Sequence, residues 1–281
     1  MKLDGILRAV TKDGGFRVVA AATTDMVRGA IAAQMPEPDV AGIYADFLTG
    51  AVLVRESMAP DYRLQIFLQG KQPKTRLVAD SFPDGVTRGL VQLRGEQSFE
   101  VGGGILQVQR TLSTGSLHTG VVGIKEGATL AEAFMAYMLE SEQIVTMMSI
   151  AHIVKDGQIV AAGGYLLQLL PEVDRMKLAV MTERLEEFKD IRELLEAGKA
   201  TPKYLIEETL YGIDYDQVAE QPVSFGCTCD ELRLTTSLAT LPKADIEDLM
   251  QSDKPLEINC DFCNKDYVIP VERLRGLLTS N

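Results

Sequence analysis

The four cysteines of the chain constrain its fold more than any other feature. They form two close pairs near the C-terminus, Cys227-x-Cys229 and Cys260-x-x-Cys263, and the segment 230–259 separates the pairs. Each close pair can supply two thiolates to a tetrahedral metal ion, and this is the form of a structural zinc site. The spacing therefore predicts one Zn²⁺ ion per chain, with Cys227, Cys229, Cys260 and Cys263 as its ligands.

Two other roles for the cysteines stay open. They could be inert side chains of a core, although unrelated core cysteines rarely fall into two tight pairs. They could form two structural disulfides, as in small secreted domains, although the N-terminus has no apolar signal segment. In a reducing cytosol, clustered cysteines stay as thiols and bind metal or act as redox devices. The metal site is therefore the preferred interpretation.

The composition limits the partners of the chain. Its 46% hydrophobic and 24% charged residues are typical of globular proteins, with room for one large and one small domain. A net charge of −12 and a pI near 4.8 disfavour nucleic acid, which attracts concentrated Lys and Arg. No apolar run approaches the roughly 18–20 residues that span a bilayer. We expect a soluble cytoplasmic protein without a membrane or nucleic-acid partner.

The part of the chain that ends at Pro171 is predicted to be a sheet-rich core. Runs rich in Val, Leu, Ile, Tyr and Phe, bounded by Gly, Pro and Asp, are typical of strands, and two longer stretches have the i, i+3, i+4 apolar spacing of helices. A glycine pair in the last run, Gly163-Gly164, indicates a bulge or a close backbone approach. The predicted strands are 16–22, 62–69, 75–79, 86–93, 146–154 and 158–170, and the predicted helices are 39–58 and 128–142.

An acidic segment follows, over residues 172–221. Residues 172–220 contain 13 Asp and Glu but only 7 Lys and Arg. An apolar stripe indicates a helix of about 25 residues that ends at Gly198. The stripe is either ordinary core or a face that docks reversibly on the sheet. It consists of Met181, Leu185, Phe188, Ile191 (or Arg192) and Leu195, and the residues expected to form a docking face are Met181, Leu185, Phe188 and Ile191.

Residues 222–281 are too few to build a large core of their own. A bound metal would have to supply much of the folding free energy, and structural zinc in small peptides contributes roughly 10–16 kcal/mol. Short helices are predicted over 241–250 and 270–278. The whole chain is therefore predicted to have an α+β fold with three parts: a sheet-rich core (1–171), a helical linker (172–221) and a zinc-binding domain (222–281).

Signals of catalysis are weak. The two histidines, His118 and His152, lie far apart in the sequence without metal-ligand spacing, and no G-x-S-x-G, Walker or H-E-x-x-H motif is present. A thioredoxin-like oxidoreductase would place its C-x-x-C at a helix N-terminus near the start of a domain. We therefore expect a protein that is not an enzyme.

Several motifs occur together with the cysteines. They are Phe225-x-Cys-x-Cys before a Leu-rich helix, Glu257-Ile-x-Cys-x-Phe-Cys-x-x-x-Tyr267, a closing Leu-x-x-Leu helix, Glu140-Ser-Glu-Gln143, Ala161–Pro171 and Thr23–Val27. The cysteine motifs resemble the redox-switch domain of the heat shock protein 33 family, whose members are redox-regulated, ATP-independent holdase chaperones. With the upstream motifs, the resemblance covers most of the chain.

The resemblance implies a chaperone that is zinc-bound and inactive when reduced, and that binds unfolding proteins after thiol oxidation, zinc release and linker detachment. It also allows a homodimer in the oxidised state. Disulfides should join near neighbours, Cys227–Cys229 and Cys260–Cys263, because thiols so close in the chain meet most often. The alternative is a permanently zinc-bound interaction module, and an oxidoreductase is a weaker third possibility.

Overall fold

A computed structural model of the chain describes residues 4–72, 74–112, 114–171, 173–250 and 254–279. The chain divides into two compact units, Met1–Phe225 and Gly226–Asn281. Sheets and helices are mixed in both units, which confirms the α+β prediction. Within the described residues, no helix combines the length and the apolarity needed to cross a membrane.

The described part of the first unit forms two sheets. Its strands are β1 (Gly5–Thr11), β2 (Phe16–Ala22), β3 (Arg63–Gln69), β4 (Arg76–Ser81), β5 (Val86–Gln92), β6 (Ile105–Thr111), β7 (Leu117–Gly123), β8 (Thr146–Lys155), β9 (Gln158–Leu169), β10 (Tyr215–Pro222) and β11 (Ser224–Phe225). The order is β10-β1-β2-β9-β8 in the five-stranded sheet and β11-β5-β4-β3-β6-β7 in the six-stranded sheet. All neighbours are antiparallel except the short β11, which runs parallel to β5.

Helices cover these sheets. They are α1 (Thr24–Gln34), α2 (Pro38–Glu56), α3 (Leu130–Glu140), α4 (Arg175–Glu187), α5 (Arg192–Glu196) and α6 (Pro202–Thr209). The strands and the two helices that were predicted for the core are all confirmed, with small differences at their boundaries.

Helix α2 forms the centre of the larger hydrophobic core. It begins with Pro38 in its first turn, where proline loses no hydrogen bond because the first helical amides have no acceptor within the helix. Tyr44, Phe47 and Leu48 are fully buried among side chains of both sheets. Gly50 permits close contact with α3, because a Cβ there would lie 2.2 Å from the Phe134 ring.

The opposite face of the five-stranded sheet is covered by α4, α5 and α6. Strand β2 is apolar almost throughout because its residues alternate between two cores: Val19 faces α2, whereas Phe16 and Val18 face the other helices. The glycine pair in β9 marks a close backbone approach. A Cβ on Gly163 would lie 2.7 Å from the Ala21 carbonyl oxygen, and one on Gly164 would lie 2.6 Å from that of Ser149.

The linker differs from its prediction in two ways. The prediction of one continuous helix up to Gly198 is wrong, because α4 ends at Glu187 and α5 begins at Arg192. The helical interpretation of residues up to 221 is also wrong at its end, because β10 pairs with β1 as an edge strand. Glu172, at the predicted boundary, lies outside the described residues. The functional division into core, linker and zinc domain stays a prediction.

The second unit is small. Its elements are α7 (Glu231–Leu238), α8 (Lys243–Met250), β12 (Leu256–Asn259), β13 (Asp266–Ile269) and α9 (Val271–Thr279). Strands β12 and β13 form an antiparallel hairpin, and the two short predicted helices correspond to α8 and α9. Few apolar side chains are buried in the described part of this unit, chiefly Ile246, Ile269, Val271 and Leu274.

Candidate metal centre and docked linker

The second unit brings all four cysteines together. Their sulfur atoms all lie within 4.8 Å of one another. The Sγ atoms of Cys227 and Cys260 are 3.8 Å apart, and those of Cys229 and Cys263 are 3.3 Å apart. These two contacts each join one close pair to the other. The cysteines are therefore arranged as a four-sulfur cluster.

The C-x-x-C pair is held by the turn of the β12–β13 hairpin. The Cys260 amide donates to the Lys265 carbonyl at 2.9 Å, and the Asn264 amide donates to the Cys260 carbonyl at 2.8 Å. Asn264 has a φ of +60°, a left-handed conformation that Asn tolerates well. Backbone amides of the turn also donate to the Cys260 and Cys263 sulfurs. The turn thus supplies amide donors to both thiols.

The C-x-C pair lies in extended chain just before α7. Asp230 is the N-cap of that helix, and its side chain accepts a hydrogen bond from the Arg233 amide at 2.7 Å. The Arg233 guanidinium donates to the Thr228 carbonyl at 2.8 Å, between the two cysteines. The helix start therefore fixes the chain that carries Cys227 and Cys229.

A tyrosine side chain also contacts one of the cysteines. The Tyr267 hydroxyl lies 3.2 Å from the Cys229 sulfur and 3.0 Å from the Cys229 carbonyl oxygen. Sequence reasoning did not assign this tyrosine a role. The signal that could have found it is its position shortly after Cys263, inside the motif that carries the family resemblance.

The cysteine thiols of the cluster differ in pKa. Burial raises the pKa of Cys263 to about 12 and also raises that of Cys260. Burial acts on Cys229 in the same direction, but hydrogen bonds from Tyr267 and the other cysteines outweigh it and lower the pKa of Cys229 to about 7. One thiol is therefore set to ionise first. Because ligands must be deprotonated, metal affinity should fall as the pH falls.

The donor set fits a thiolate-binding metal. Four sulfurs within 4.8 Å of one another fit the S₄ donor set of zinc and iron–sulfur sites. The described residues contain no other cluster of three or more Cys, His, Asp or Glu side chains with this proximity. The cluster is thus a candidate metal centre, and the four cysteines are the residues that would hold the ion.

The predicted linker stripe also comes together. Met181, Leu185 and Ile191 are buried, and Phe188 is half-buried, against the face of the five-stranded sheet that carries Phe16. The stripe is therefore in contact with the sheet in this structure. Its detachment stays a prediction.

The break between α4 and α5 is hydrogen-bonded to the sheet. The Tyr165 hydroxyl donates to the Phe188 carbonyl, and the Ser149 hydroxyl donates to the Lys189 carbonyl, both at 2.9 Å. Ser149 and Tyr165 lie directly opposite each other on β8 and β9. We call these two side chains the hydroxyl clip. They give consecutive carbonyls at the end of α4 partners outside the helix.

Comparisons with known proteins agree on one family. A family model described as "Hsp33 protein" matches residues 4–270. The 33 kDa chaperonin of Syntrophotalea carbinolica is 30% identical over 287 residues, covering 98% of this chain and 99% of the relative. The 33 kDa chaperonin of Bacillus subtilis is 30% identical, covering 98% of each. The crystal structure of the 33 kDa chaperonin (Heat shock protein 33 homolog) from Thermotoga maritima shares the fold, with a TM-score of 0.83, 24% identity and 99% of each chain covered.

Proposed function

Since the chain belongs to the Hsp33 chaperone family, we propose that it is a redox-regulated, ATP-independent holdase. It would be inactive when reduced and would bind unfolding proteins when oxidised. The observation that carries the proposal is the cluster of four cysteine thiols, none of them in a disulfide, within 4.8 Å of one another. Such a cluster can hold a metal in one redox state and form disulfides in the other.

In the reduced state, Cys227, Cys229, Cys260 and Cys263 would be the ligands of one zinc ion. When bound, zinc would hold these thiolates in one tetrahedron and contribute roughly 10–16 kcal/mol to folding, the range measured for structural zinc in small peptides. The second unit needs this contribution because few apolar side chains are buried in its described part.

Oxidation removes the ligands. A thiolate attacks one oxygen of hydrogen peroxide, the O–O bond breaks, and a sulfenic acid and hydroxide form, the hydroxide becoming water on protonation. A neighbouring thiol then displaces water from the sulfenic acid to form a disulfide. Each pair thus loses two electrons to one peroxide. We propose the pairs Cys227–Cys229 and Cys260–Cys263, whose sulfurs then no longer bind metal as thiolates.

Client binding would follow from linker detachment. Unfolding of the second unit would be followed by undocking of α4, α5 and α6, which precede it in the chain. This would expose Met181, Leu185 and Ile191 together with the sheet face around Phe16 and Tyr165. A contiguous apolar patch of this kind is what an unfolded client can bind. No nucleotide and no catalytic group is needed.

The partners proposed are unfolded or partly folded proteins in the cytoplasm, and a second copy of the chain in the oxidised state. The net charge of −12 would help complexes with clients to stay in solution. The second candidate is a permanently zinc-bound interaction module, which the same four-sulfur cluster would also support.

Simultaneous measurements of zinc and aggregation test the proposal. The reduced protein is treated with peroxide or hypochlorite while a chromogenic chelator reports zinc and light scattering reports aggregation of a denatured client. We expect about one zinc per chain to be released and aggregation to be suppressed only after oxidation. Cys227→Ser should lower zinc affinity strongly, because three thiolates leave the ion open to water. Zinc that stays bound, with no suppression, would favour the interaction module.

A further inference from the structure

Tyr267 stands in a fixed position beside one cysteine. It lies on β13 opposite Ile258 of β12, so the hairpin sets the position of its backbone. Its ring lies 5.0 Å from the Lys265 ammonium nitrogen, and its hydroxyl reaches both the sulfur and the carbonyl oxygen of Cys229, at 3.2 and 3.0 Å. The single hydroxyl proton can serve either acceptor.

Cys229 receives a different kind of donor from Cys260 and Cys263. The Cys260 and Cys263 sulfurs accept hydrogen bonds from backbone amides of the hairpin turn. The Cys229 sulfur accepts one from a side-chain hydroxyl. Hydrogen bonds to an ionised acceptor are roughly twice as strong as neutral ones, so the hydroxyl should favour the sulfur once Cys229 is a thiolate.

We propose that Tyr267 is a positioning residue that sets how fast Cys229 is oxidised. This inference rests on the proposed redox function. In the zinc-bound state Cys229 is already a thiolate, so the hydrogen bond acts there by withdrawing electron density from the sulfur and fixing the Cys229 rotamer, and both effects slow attack on an oxidant. The reaction is the peroxide oxidation described above. The Cys229 sulfur attacks one oxygen of peroxide, the O–O bond breaks, and a sulfenic acid and water form. Cys227 then closes the disulfide and releases a second water.

The variant Tyr267→Phe distinguishes the role of the hydroxyl from the role of the ring. The phenylalanine keeps the apolar ring and its place in the hairpin but removes the donor. Partners that support metal ligands typically change affinity or activity by about 10- to 100-fold when they are lost. We expect peroxide to oxidise Cys229 about tenfold faster in the full-length variant, which is the lower end of that range. The matched control is Tyr211→Phe, because Tyr211 is exposed and lies in the first unit.

The test uses the full-length chain loaded with Co²⁺, whose sulfur-to-metal charge-transfer absorption reports electron density on the thiolates. We expect Tyr267→Phe to bind cobalt in the same ratio as the parent and to shift this absorption, and Tyr211→Phe to leave it unchanged. Rates of peroxide oxidation are then measured for the zinc-loaded proteins by mass spectrometry of alkylated Cys229. A purely structural role for the ring would move neither readout.

A second variant covers the case in which Tyr267→Phe loads metal poorly. With 3-fluorotyrosine at position 267 the ring and the hydroxyl stay, and the more acidic hydroxyl is a stronger donor. We expect slower oxidation of Cys229 than in the parent. An unchanged spectrum and an unchanged rate in Tyr267→Phe would overturn the inference, even if the oxidised protein suppresses aggregation. A changed spectrum and rate in a protein that never suppresses aggregation would instead contradict the chaperone proposal alone.

Discussion

The two faces of the five-stranded sheet are both covered by helices, but the two covers are built differently. On one face, 13 of the 19 residues of α2 are buried, because the six-stranded sheet packs on its other side. On the opposite face, only Met181 and Leu185 are buried among the 13 residues of α4. Helix α2 is enclosed between two sheets, whereas α4 contacts one sheet along a single stripe.

From this difference we infer which cover would detach more easily from the sheet. Removing α2 would expose apolar side chains from two sheets at once, at roughly 1.5–3 kcal/mol for each large side chain. Removing α4 and α5 would expose a single stripe and would leave the core around α2 intact. A reversible cover must be weak enough to detach without unfolding what lies beneath it. We therefore expect the linker helices, and not α2, to be the reversible cover.

The largest effect is expected from Phe47→Ala in α2. Phe47 is fully buried and stacks with Phe134 at a ring-centroid distance of 6.3 Å. Truncating a buried Phe costs roughly 3–5 kcal/mol, since a cavity remains. We expect the free energy of unfolding of the first unit to fall by that amount, measured by urea denaturation of the reduced protein. A loss below about 1 kcal/mol, well under that range, would mean that α2 is not the centre of the core.

Ile191→Ala should affect the other cover alone. Ile191 is fully buried between α4 and α5, and truncating such a residue costs roughly 2–5 kcal/mol. We expect faster hydrogen exchange in α4–α6, unchanged exchange in α2, and suppression of client aggregation by the reduced protein. Phe188→Asp should act in the same direction, because it places a charge in the half-buried stripe.

The matched control for this prediction is Val180→Ala. Val180 lies on α4, but its side chain is 52% exposed, so its truncation should change neither exchange nor activity. If Ile191→Ala instead lowered protection in α2 as well, the two covers would belong to one cooperative unit. The stripe would then be ordinary core, and the permanently zinc-bound module would gain support.

The sequence allowed much of this comparison to be predicted. Helix α2 could be predicted from its broad apolar face, because a helix buried on nearly every side is apolar over most of its surface. The cysteines could be assigned to one cluster because their pair spacing is itself the local geometry of the site. The stripe could be identified because Met181, Leu185 and Ile191 face one sheet. These features depend on local pattern, which a sequence records directly.

The features that were missed depend on distant partners. The break after α4 coincides with hydrogen bonds from Tyr165 and Ser149, which no local pattern reveals. Strand β1 was missed because Arg8 interrupts its apolar run, and that arginine pairs with the buried Glu56 at 3.7 Å. Strand β10 was assigned to the linker because an edge strand pairs on one side only and keeps most of its side chains exposed, so its sequence lacks an apolar pattern. The contact between Tyr267 and Cys229 joins positions 38 residues apart in the chain, so no local pattern predicts it.

A smaller effect is expected from the hydroxyl clip. Tyr165→Phe removes the donor to the Phe188 carbonyl and keeps the ring, and one such hydrogen bond contributes roughly 0.5–1.5 kcal/mol. We expect the reduced variant to exchange amide hydrogens in α4 and α5 up to about tenfold faster. Ser149→Ala should add a similar effect at the neighbouring carbonyl.

Tyr44→Phe is the control for the clip. Tyr44 is also fully buried, but its hydroxyl has no hydrogen-bond partner among the described residues. Removing that hydroxyl should leave exchange in the linker unchanged and should not destabilise the first unit, because an unpartnered buried hydroxyl is itself unfavourable. Equal effects of the two substitutions would show that the clip contributes nothing specific to docking.

The smallest expected effect is a pH dependence of the stability of the first unit, which comes from a histidine paired with a carboxylate of α2. The His152 imidazole lies 2.8 Å from the Asp46 carboxylate of α2, and this hydrogen bond raises the pKa of His152 although burial opposes it. Stability from the pair is therefore fully present below the unfolded pKa of about 6.5 and is lost as the pH rises through the folded pKa. Because both side chains are partly exposed, the contribution should stay below about 1 kcal/mol. We expect His152→Gln to destabilise the first unit more at pH 6 than at pH 8 in urea denaturation. An equal loss at both pH values would show that the pair acts only by packing, and that the α2 cover is insensitive to this charge.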